Sequence, residues 1–420
     1  MLLYIIYIII SPLLYLLVHI SRLISPKIHQ HLLYERKLIK DVKNRIKEIN
    51  HKKIILFHAT SAGEFEQIKP ILNKIDKSKF FIIQSFTSPT IYAKEKNNLL
   101  FDISCYHPYD FIWSSYLFFK AINPHTYIIT RHDVWPTHMI VCQLLKIPCY
   151  YINANIHKNS IWSYRLLKSF SQKILSKFQV IFVPSIRIKN LLINIIGNST
   201  HIEVSGDSRF DQIIERKEKN NKNLLPVLYD KTKNIIFGSY DSFDESLILK
   251  SLKENFPNGD VDLNKRDTGI ILVPHEINHQ AINRLIEKLK NQYMTPSILS
   301  NPSHTKSQVI IIDKVGILAD LYKYAKLAYV GSGFTTGVHS VIEPAVYGCT
   351  IGYGPKFELL DEAKEMFESD MSHVLKSKKD LIDFINLINN PNRLYSKNKV
   401  INYTIESAGA SSKIIKRIGL

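Results

Sequence analysis

Cysteine is scarce in this 420-residue chain: Cys105, Cys142, Cys149 and Cys349 lie far apart and form no C-x-x-C pair. That gives no support to a disulfide framework or a structural zinc site, and a reducing compartment is the simpler expectation. Neither the Asp-x-Asp at Asp260–Asp262 nor the His-Glu-x-x-His at His275–His279 is read as a catalytic metal site, and no Cys/His cluster suggests one, so no catalytic metal or other cofactor is expected. A repeat of 20–50 residues is also missing, which excludes solenoids and propellers. Acidic residues are the short side of the charge balance, 37 against 55 Lys+Arg, leaving a net charge of +18. Such an excess points to an anionic partner: nucleic acid, a lipid surface or a phosphorylated substrate. The aromatic residues form no RNP-like or stacking motif, so nucleic acid is not the expected partner.

The length suits two domains. Hydrophobic residues at 45% and charged residues at 22% exclude a wholly disordered or collagen-like chain. A mean hydropathy of −0.06 argues against a polytopic membrane protein. One segment stands apart: residues 1–20 carry no Lys, Arg, Asp or Glu, and about 20 apolar residues are enough to cross a bilayer. An early basic region and a small-residue cleavage site are both missing, so an uncleaved anchor over 1–25 is expected. Arg22, Lys27, Arg36, Lys37 and Lys40 follow it and place the remainder on the cytoplasmic side by the positive-inside rule. Pro12 and His19 also permit an interfacial insertion, and a buried N-terminal helix is the alternative.

Beyond the anchor, short β-branched runs alternate with helical patterns, the signature of parallel α/β layers. Strands are expected at 54–58, 80–84, 127–130, 150–153, 180–184 and 201–204, then at 235–237, 270–273, 309–312, 327–330 and 350–352. The polar stretch from Glu215 to Asn223 has a linker composition. The expected domains are therefore 26–214 and 233–420, joined by a linker at 215–232. Open α/β domains bind ligands beyond the carboxyl ends of their strands, which makes those loops the candidate sites and a cleft between two facing domains the candidate location.

Two loops carry chemistry. In His58-Ala-Thr-Ser-Ala-Gly-Glu64 a strand runs through a small-residue turn into a helix, placing Ser61, Gly63 and Glu64 at its N-terminus. Ser61-x-x-Glu64 fits a capping box, and taken alone that structural role is the favoured one. In Tyr329-Val-Gly-Ser-Gly-Phe-Thr-Thr-Gly-Val-His-Ser-Val-Ile-Glu343 a strand enters a glycine-rich turn and then a helix near Ser340. Backbone N–H groups and the positive end of that helix would suit a phosphate, with Gly331, Gly333 and Gly337 allowing close approach. The turn lacks the Gly-Lys-Ser/Thr of a P-loop, and Ser340-x-x-Glu343 again fits a bare capping box.

The segment HATSAGEFEQIKPIL resembles the H-A-x-S-x-G-E…K-P motif of bacterial 3-deoxy-D-manno-octulosonic acid (Kdo) transferases, a lipid A-modifying glycosyltransferase family. Thr87-Ser-Pro-Thr90, Tyr106-His-Pro-Tyr-Asp110, Val134-Trp-Pro136, Asn153-Ala-Asn155 and Val204-Ser-Gly-Asp…Phe-Asp211 resemble further family motifs in the same order, and the turn at 329–345 resembles G-G-S…G-G-H-N-x-L-E-P-A. The resemblance implies an α/β GT-B fold, two Rossmann-like domains facing across a cleft. It implies transfer of Kdo from CMP-Kdo to the lipid A precursor at the anionic inner-membrane surface. Glu64 would be the general base, a role for which a positioned carboxylate is suited. Ser340, Val341, Ile342 and Glu343 would line the CMP site with Gly333, Glu343 accepting from the ribose hydroxyls. Pro274-His275 matches a Pro-Arg contact to CMP, Val315-Gly316-Ile317 a Met-Gly-Glu contact, and Gly238-Ser239 a Gly-Ser pair near the donor phosphate. Arg209 would be a further helper in departure of CMP.

Three donor contacts depart from that pattern: arginine becomes His275, glutamate becomes Ile317 and asparagine becomes Ser340. A glutamate-rich segment becomes Thr130-Arg-His-Asp133, leaving Asp133 as its acid. A different nucleotide sugar, used by another GT-B transferase or an epimerase, is the alternative reading.

Overall fold

The computed structural model describes residues 2–49, 51–156, 160–197, 201–301, 307–390 and 396–420. The chain divides into two compact units, one of residues 1–212 and 407–420, the other of residues 213–406.

In the first unit, seven strands form one parallel sheet: β1 (Lys53–Ala59), β2 (Phe80–Phe86), β3 (Ile103–Tyr106), β4 (Thr126–Thr130), β5 (Cys149–Ile152), β6 (Val180–Val183) and β7 (Ile202–Val204). Their spatial order is β3-β2-β1-β4-β5-β6-β7. Every residue of β2 and β4 is buried, as expected of parallel strands covered by helices on both faces. One core, built on Leu56, Ile83, Phe119 and Tyr127, fills one side of the sheet; Phe57, Phe65, Ile82 and Phe182 fill the other.

The second unit repeats the plan with β8 (Lys233–Tyr240), β9 (Thr268–Pro274), β10 (Pro296–Ile298), β11 (Val309–Ile311), β12 (Ala325–Val330), β13 (Thr350–Tyr353) and β14 (Ser372–Val374). The order is β10-β11-β9-β8-β12-β13-β14. In each sheet the winding direction reverses once, between β1 and β4 and between β8 and β12. Crevices at such reversals are where doubly wound sheets bind ligands.

The structure differs from the sequence expectation at two borders. The polar stretch taken for a linker starts inside the helix Ser208–Glu218 and is fastened to the second unit: Arg216 pairs with Asp320 at 2.8 Å, and Leu225 and Tyr229 are buried there. The final helix, Ala410–Ile418, expected within the second domain, packs on the first unit. Its apolar side meets helix Ala62–Leu72, and the carboxylate of Asp211 accepts from the N–H groups of Gly409 (2.7 Å) and Ser411 (2.9 Å).

At the other end, helix Leu2–Ser21 runs unbroken through Pro12. Its stretch Tyr4–Ser21 is long and apolar enough to cross a membrane and is only 6% buried.

Candidate active site

The loops after β1 and β4 meet at the first reversal. β1 passes into helix Ala62–Leu72 within two residues, so Ser61 lands at the N-cap and Glu64 in the first turn. The capping box is complete: Ser61 Oγ accepts from the Glu64 N–H (3.3 Å), while Glu64 Oε2 accepts from the N–H groups of Thr60 (2.7 Å) and Ser61 (3.2 Å). Both bonds fall on one oxygen. Among the described residues, Glu64 Oε1 accepts none, so capping leaves half of the carboxylate available. Burial first, and then the charge of Asp133, raise the proton affinity of Glu64; the Thr60 N–H, His58 and the Ser61 N–H oppose them.

Asp133, after β4, accepts from Thr60 Oγ1 and pairs with His58 Nε2. Thr60 therefore bridges the two acids, its N–H on Glu64 and its hydroxyl on Asp133. Burial tends to raise the proton affinity of Asp133, yet His58 and the hydrogen bonds it receives hold the carboxyl below its ordinary value. His58 is itself fixed from behind, with Nδ1 3.0 Å from Ser85 Oγ and its ring stacked on His107 at 3.8 Å. Gly63 faces open space: a Cβ there would meet nothing within 4 Å. Arg209 lies in the same unit, on helix Ser208–Glu218, with its guanidinium 2.7 Å from Asp207.

At the second reversal the ends of β8, β9 and β12 interlock. Ser239 takes a left-handed conformation (φ 52°) where the β8–β9 register shifts, a bulge that re-aims its side chain. Its Oγ lies 2.9 Å from His275 Nδ1, and the His275 ring stacks on His339 at 5.0 Å. Gly331 is required by packing, since a Cβ would come within 2.4 Å of Tyr240 Cα. Gly333 is required in the same way by the backbone of Gly354, 2.5 Å from a Cβ at that position. Asp244 holds the turn by accepting from the Ser332 N–H (2.6 Å) and the Tyr329 hydroxyl (2.7 Å), and Asp241 accepts from Thr335. Beside His275 a cavity of about 350 Å³ is lined by Tyr240, Asp241, Glu245, Pro274 and Lys288, near the lower end of ligand pockets.

The helix expected near Ser340 is a single turn, Ile342–Ala345, capped by the backbone of Val341. Ser340 makes no capping bond, and its buried Oγ has no hydrogen-bond partner among the described residues. The glycine turn, held by Asp244 and Gly354, sets the path of the chain there, and one turn of helix adds little dipole. Glu343 is half-buried, and its charge raises the proton affinity of Tyr322, after burial the largest influence on that phenol. The Tyr322 hydroxyl would lie 2.3 Å from a Cβ on Gly238, which sets Glu343 near the end of β8. The loop Val315-Gly316-Ile317 leads to the same place through Leu318, but Val315 is exposed and Ile317 packs against the core.

The first unit thus gathers Ser61, Gly63 and Glu64, and the second gathers Ser239, Pro274, His275, Gly333 and the residues Ser340 to Glu343. Sequence reasoning missed Asp241, Asp244 and His339. The spacing Asp241-x-x-Asp244 directly after a strand is a capping signal that marks the first two.

The family model described as 3-deoxy-D-manno-octulosonic-acid transferase (kdotransferase) matches residues 35–212. A 3-deoxy-D-manno-octulosonic acid transferase of Rickettsia prowazekii (strain Madrid E) is 26% identical over 361 residues, spanning 81% of this chain and 72% of that protein. One from Aquifex aeolicus (strain VF5) is 27% identical over 332 residues, spanning 76% and 81%. Among solved structures, UDP-GlcNAc 2-epimerase from Neisseria meningitidis bound to UDP-GlcNAc superposes with a TM-score of 0.61 at 14% identity, over 87% of this chain and 99% of that one. That likeness establishes the fold alone.

Two parallel-sheet α/β units of this kind give the chain the GT-B fold. Within that fold the chain is similar to Kdo transferases, by the family model over residues 35–212 and by both relatives over most of its length.

Proposed function

We propose that this enzyme transfers Kdo from CMP-Kdo to the lipid A precursor in lipopolysaccharide core biosynthesis, working at the cytoplasmic face of the inner membrane without a metal or other cofactor. The observation that carries the reading is the divided carboxylate of Glu64: Oε2 fixes the helix N-terminus while Oε1 remains available, in an environment that raises its proton affinity. Glu64 takes the proton of the acceptor hydroxyl as that oxygen attacks the anomeric carbon. Attack with direct displacement of CMP inverts the anomeric configuration. General-base assistance of this kind contributes about 10²–10⁴-fold.

The second unit holds the donor. Glu343, at the end of β8, accepts from the ribose hydroxyls, an arrangement suited to a vicinal diol. The cavity beside His275 receives the base, and Ser239 and Ser340 face the phosphate. The open space at Gly63 admits the acceptor. Helix Tyr4–Ser21, mostly unburied, anchors the chain in a bilayer whose anionic surface attracts its excess of basic residues.

Incubation of the purified protein with CMP-Kdo and the tetra-acylated lipid A precursor tests the reaction, with mass spectrometry of the lipid as readout. A product heavier by one or more Kdo residues is expected. An unmodified acceptor, together with calorimetric binding of UDP but not CMP, rejects the donor in favour of another nucleotide sugar.

A further inference from the structure

Three features of the second reversal bear on how a phosphate is held there. His275 follows the end of β9 and His339 lies late in the turn after β12, yet their rings stack nearly parallel, their planes 12° apart. His339 Nε2 and Ser340 Oγ, on consecutive residues, are both buried without a hydrogen-bond partner among the described residues. Orphaned polar atoms of this kind are rare, and two side by side call for a ligand, ion or water to complete them.

Long-helix N-termini offer an anion little at this spot. The helix after the glycine turn is one turn long. The longer helix Ser242–Asn255 has its N-terminus filled by its own acids, since Asp241 accepts from the N–H groups of Phe243 (2.9 Å) and Asp244 (3.0 Å). An anion at the junction of β8, β9 and β12 therefore meets the two imidazoles in place of that helix N-terminus.

We propose that His275, His339 and Ser340 form a proton-dependent oxyanion site that grips the phosphate of the donor nucleotide, so that donor binding takes up a proton. The proposal rests on the assignment of the donor to the second unit. An imidazole offers a charged donor only when protonated, and its ordinary titration range spans physiological pH. Two stacked imidazolium rings repel each other. An anion at the edges of both rings offsets that repulsion and favours the second protonation.

The groups facing the pair set the balance. Asp241, Asp244 and Glu245 face it from helix Ser242–Asn255, Glu276 lies on the loop of His275, and Arg284 and Lys288 lie on helix His279–Lys290. Without ligand, burial and then His275 lower the proton affinity of His339, against the pull of Asp244 and Asp241. Ser239 fixes the His275 ring through its 2.9 Å contact with Nδ1.

Calorimetry with cytidine 5′-methyl phosphate tests this, because that diester keeps one negative charge from pH 6 to pH 8. Affinity of the wild type should rise roughly tenfold from pH 8 to pH 6. His275→Arg, whose guanidinium stays charged, should bind with little pH dependence. His339→Asn should weaken binding at pH 6 more than at pH 8. If the wild type binds the probe equally at both pH values, the oxyanion site is overturned while the cytidine donor stands. If uridine 5′-methyl phosphate binds with the acid-side rise and the cytidine probe does not bind, the oxyanion site stands and the CMP assignment falls. Binding of neither probe at either pH overturns both.

Discussion

Glu64 caps its helix and, in the proposed reaction, serves as the base, two roles that a substitution separates. Glutamine at the same position still completes a capping box, because its side-chain oxygen accepts the same N–H bonds, but it takes up no proton. Glu64→Gln is therefore expected to unfold within about 1 kcal/mol of the wild type while transfer falls by about 10²–10⁴-fold. Thermal unfolding and product formation, measured on one preparation, check the pair of outcomes. The pH dependence follows from the neighbour. A general base works ionised, and Glu64 is pushed up by burial and then by Asp133, so the acid limb of kcat/KM lies above the ordinary carboxylate range. Asp133→Asn keeps an acceptor for Thr60 and removes the charge, which lowers the proton affinity of Glu64. The acid limb should move to lower pH, and an unmoved limb would detach Asp133 from the titration. The Ser61-x-x-Glu64 spacing made the cap legible in the sequence. The bridge through Thr60 was not, because it depends on β4 lying next to β1.

Among the elements, the sequence revealed strands according to their place in the sheet. All eleven expected strands are present, most marked by a buried apolar run, although the edge strand Ile202–Val204 buries only Ile202. The three that were missed, Ile103–Tyr106, Pro296–Ile298 and Ser372–Val374, are edge strands of three or four residues, too short to show a pattern. The same four-residue capping signal succeeded once and failed once. At Ser61 the strand passes into the helix within two residues, so local chemistry decides the boundary. Before Ile342 an eleven-residue turn intervenes, and contacts with Asp244 and Gly354 override the local preference. The placement of helix Ala410–Ile418 was illegible for a related reason: its periodicity gives it an apolar face but does not say which unit covers that face. Asp211 supplies the answer by acting as a cap from outside the helix. Asp211→Ala leaves the N–H groups of Gly409 and Ser411 without their acceptor, at a cost of about 1–3 kcal/mol. Faster amide exchange over residues 410–418, with the strands of the second unit unchanged, is the expected result.

For the molecule as a whole, the proposed membrane attachment would have two separable contributions, a net charge of +18 and an apolar helix that is 6% buried. Charge attraction to an anionic surface fades once salt shortens the screening length to a few ångströms. Burial of apolar side chains in the bilayer does not. Removing the helix outright would blur the distinction, because one of its faces is docked: Tyr7 donates to the Asp110 carbonyl at 2.6 Å, and Tyr15 packs edge-on against Phe111 and Trp113. Substitution on the open face avoids this. Ile9 and Leu13 are 71% and 58% exposed, and an acidic residue in each place costs about 2.5–3.5 kcal/mol if that face enters hydrocarbon. Co-sedimentation with phosphatidylglycerol/phosphatidylethanolamine vesicles should then resolve two components. The wild type stays bound in 0.5 M salt, whereas the Ile9→Glu, Leu13→Glu double variant binds in 0.05 M salt and is released in 0.5 M. If the double variant resists salt as well as the wild type does, the helix is not what enters the bilayer, and attachment must lie in the basic surface of the folded units.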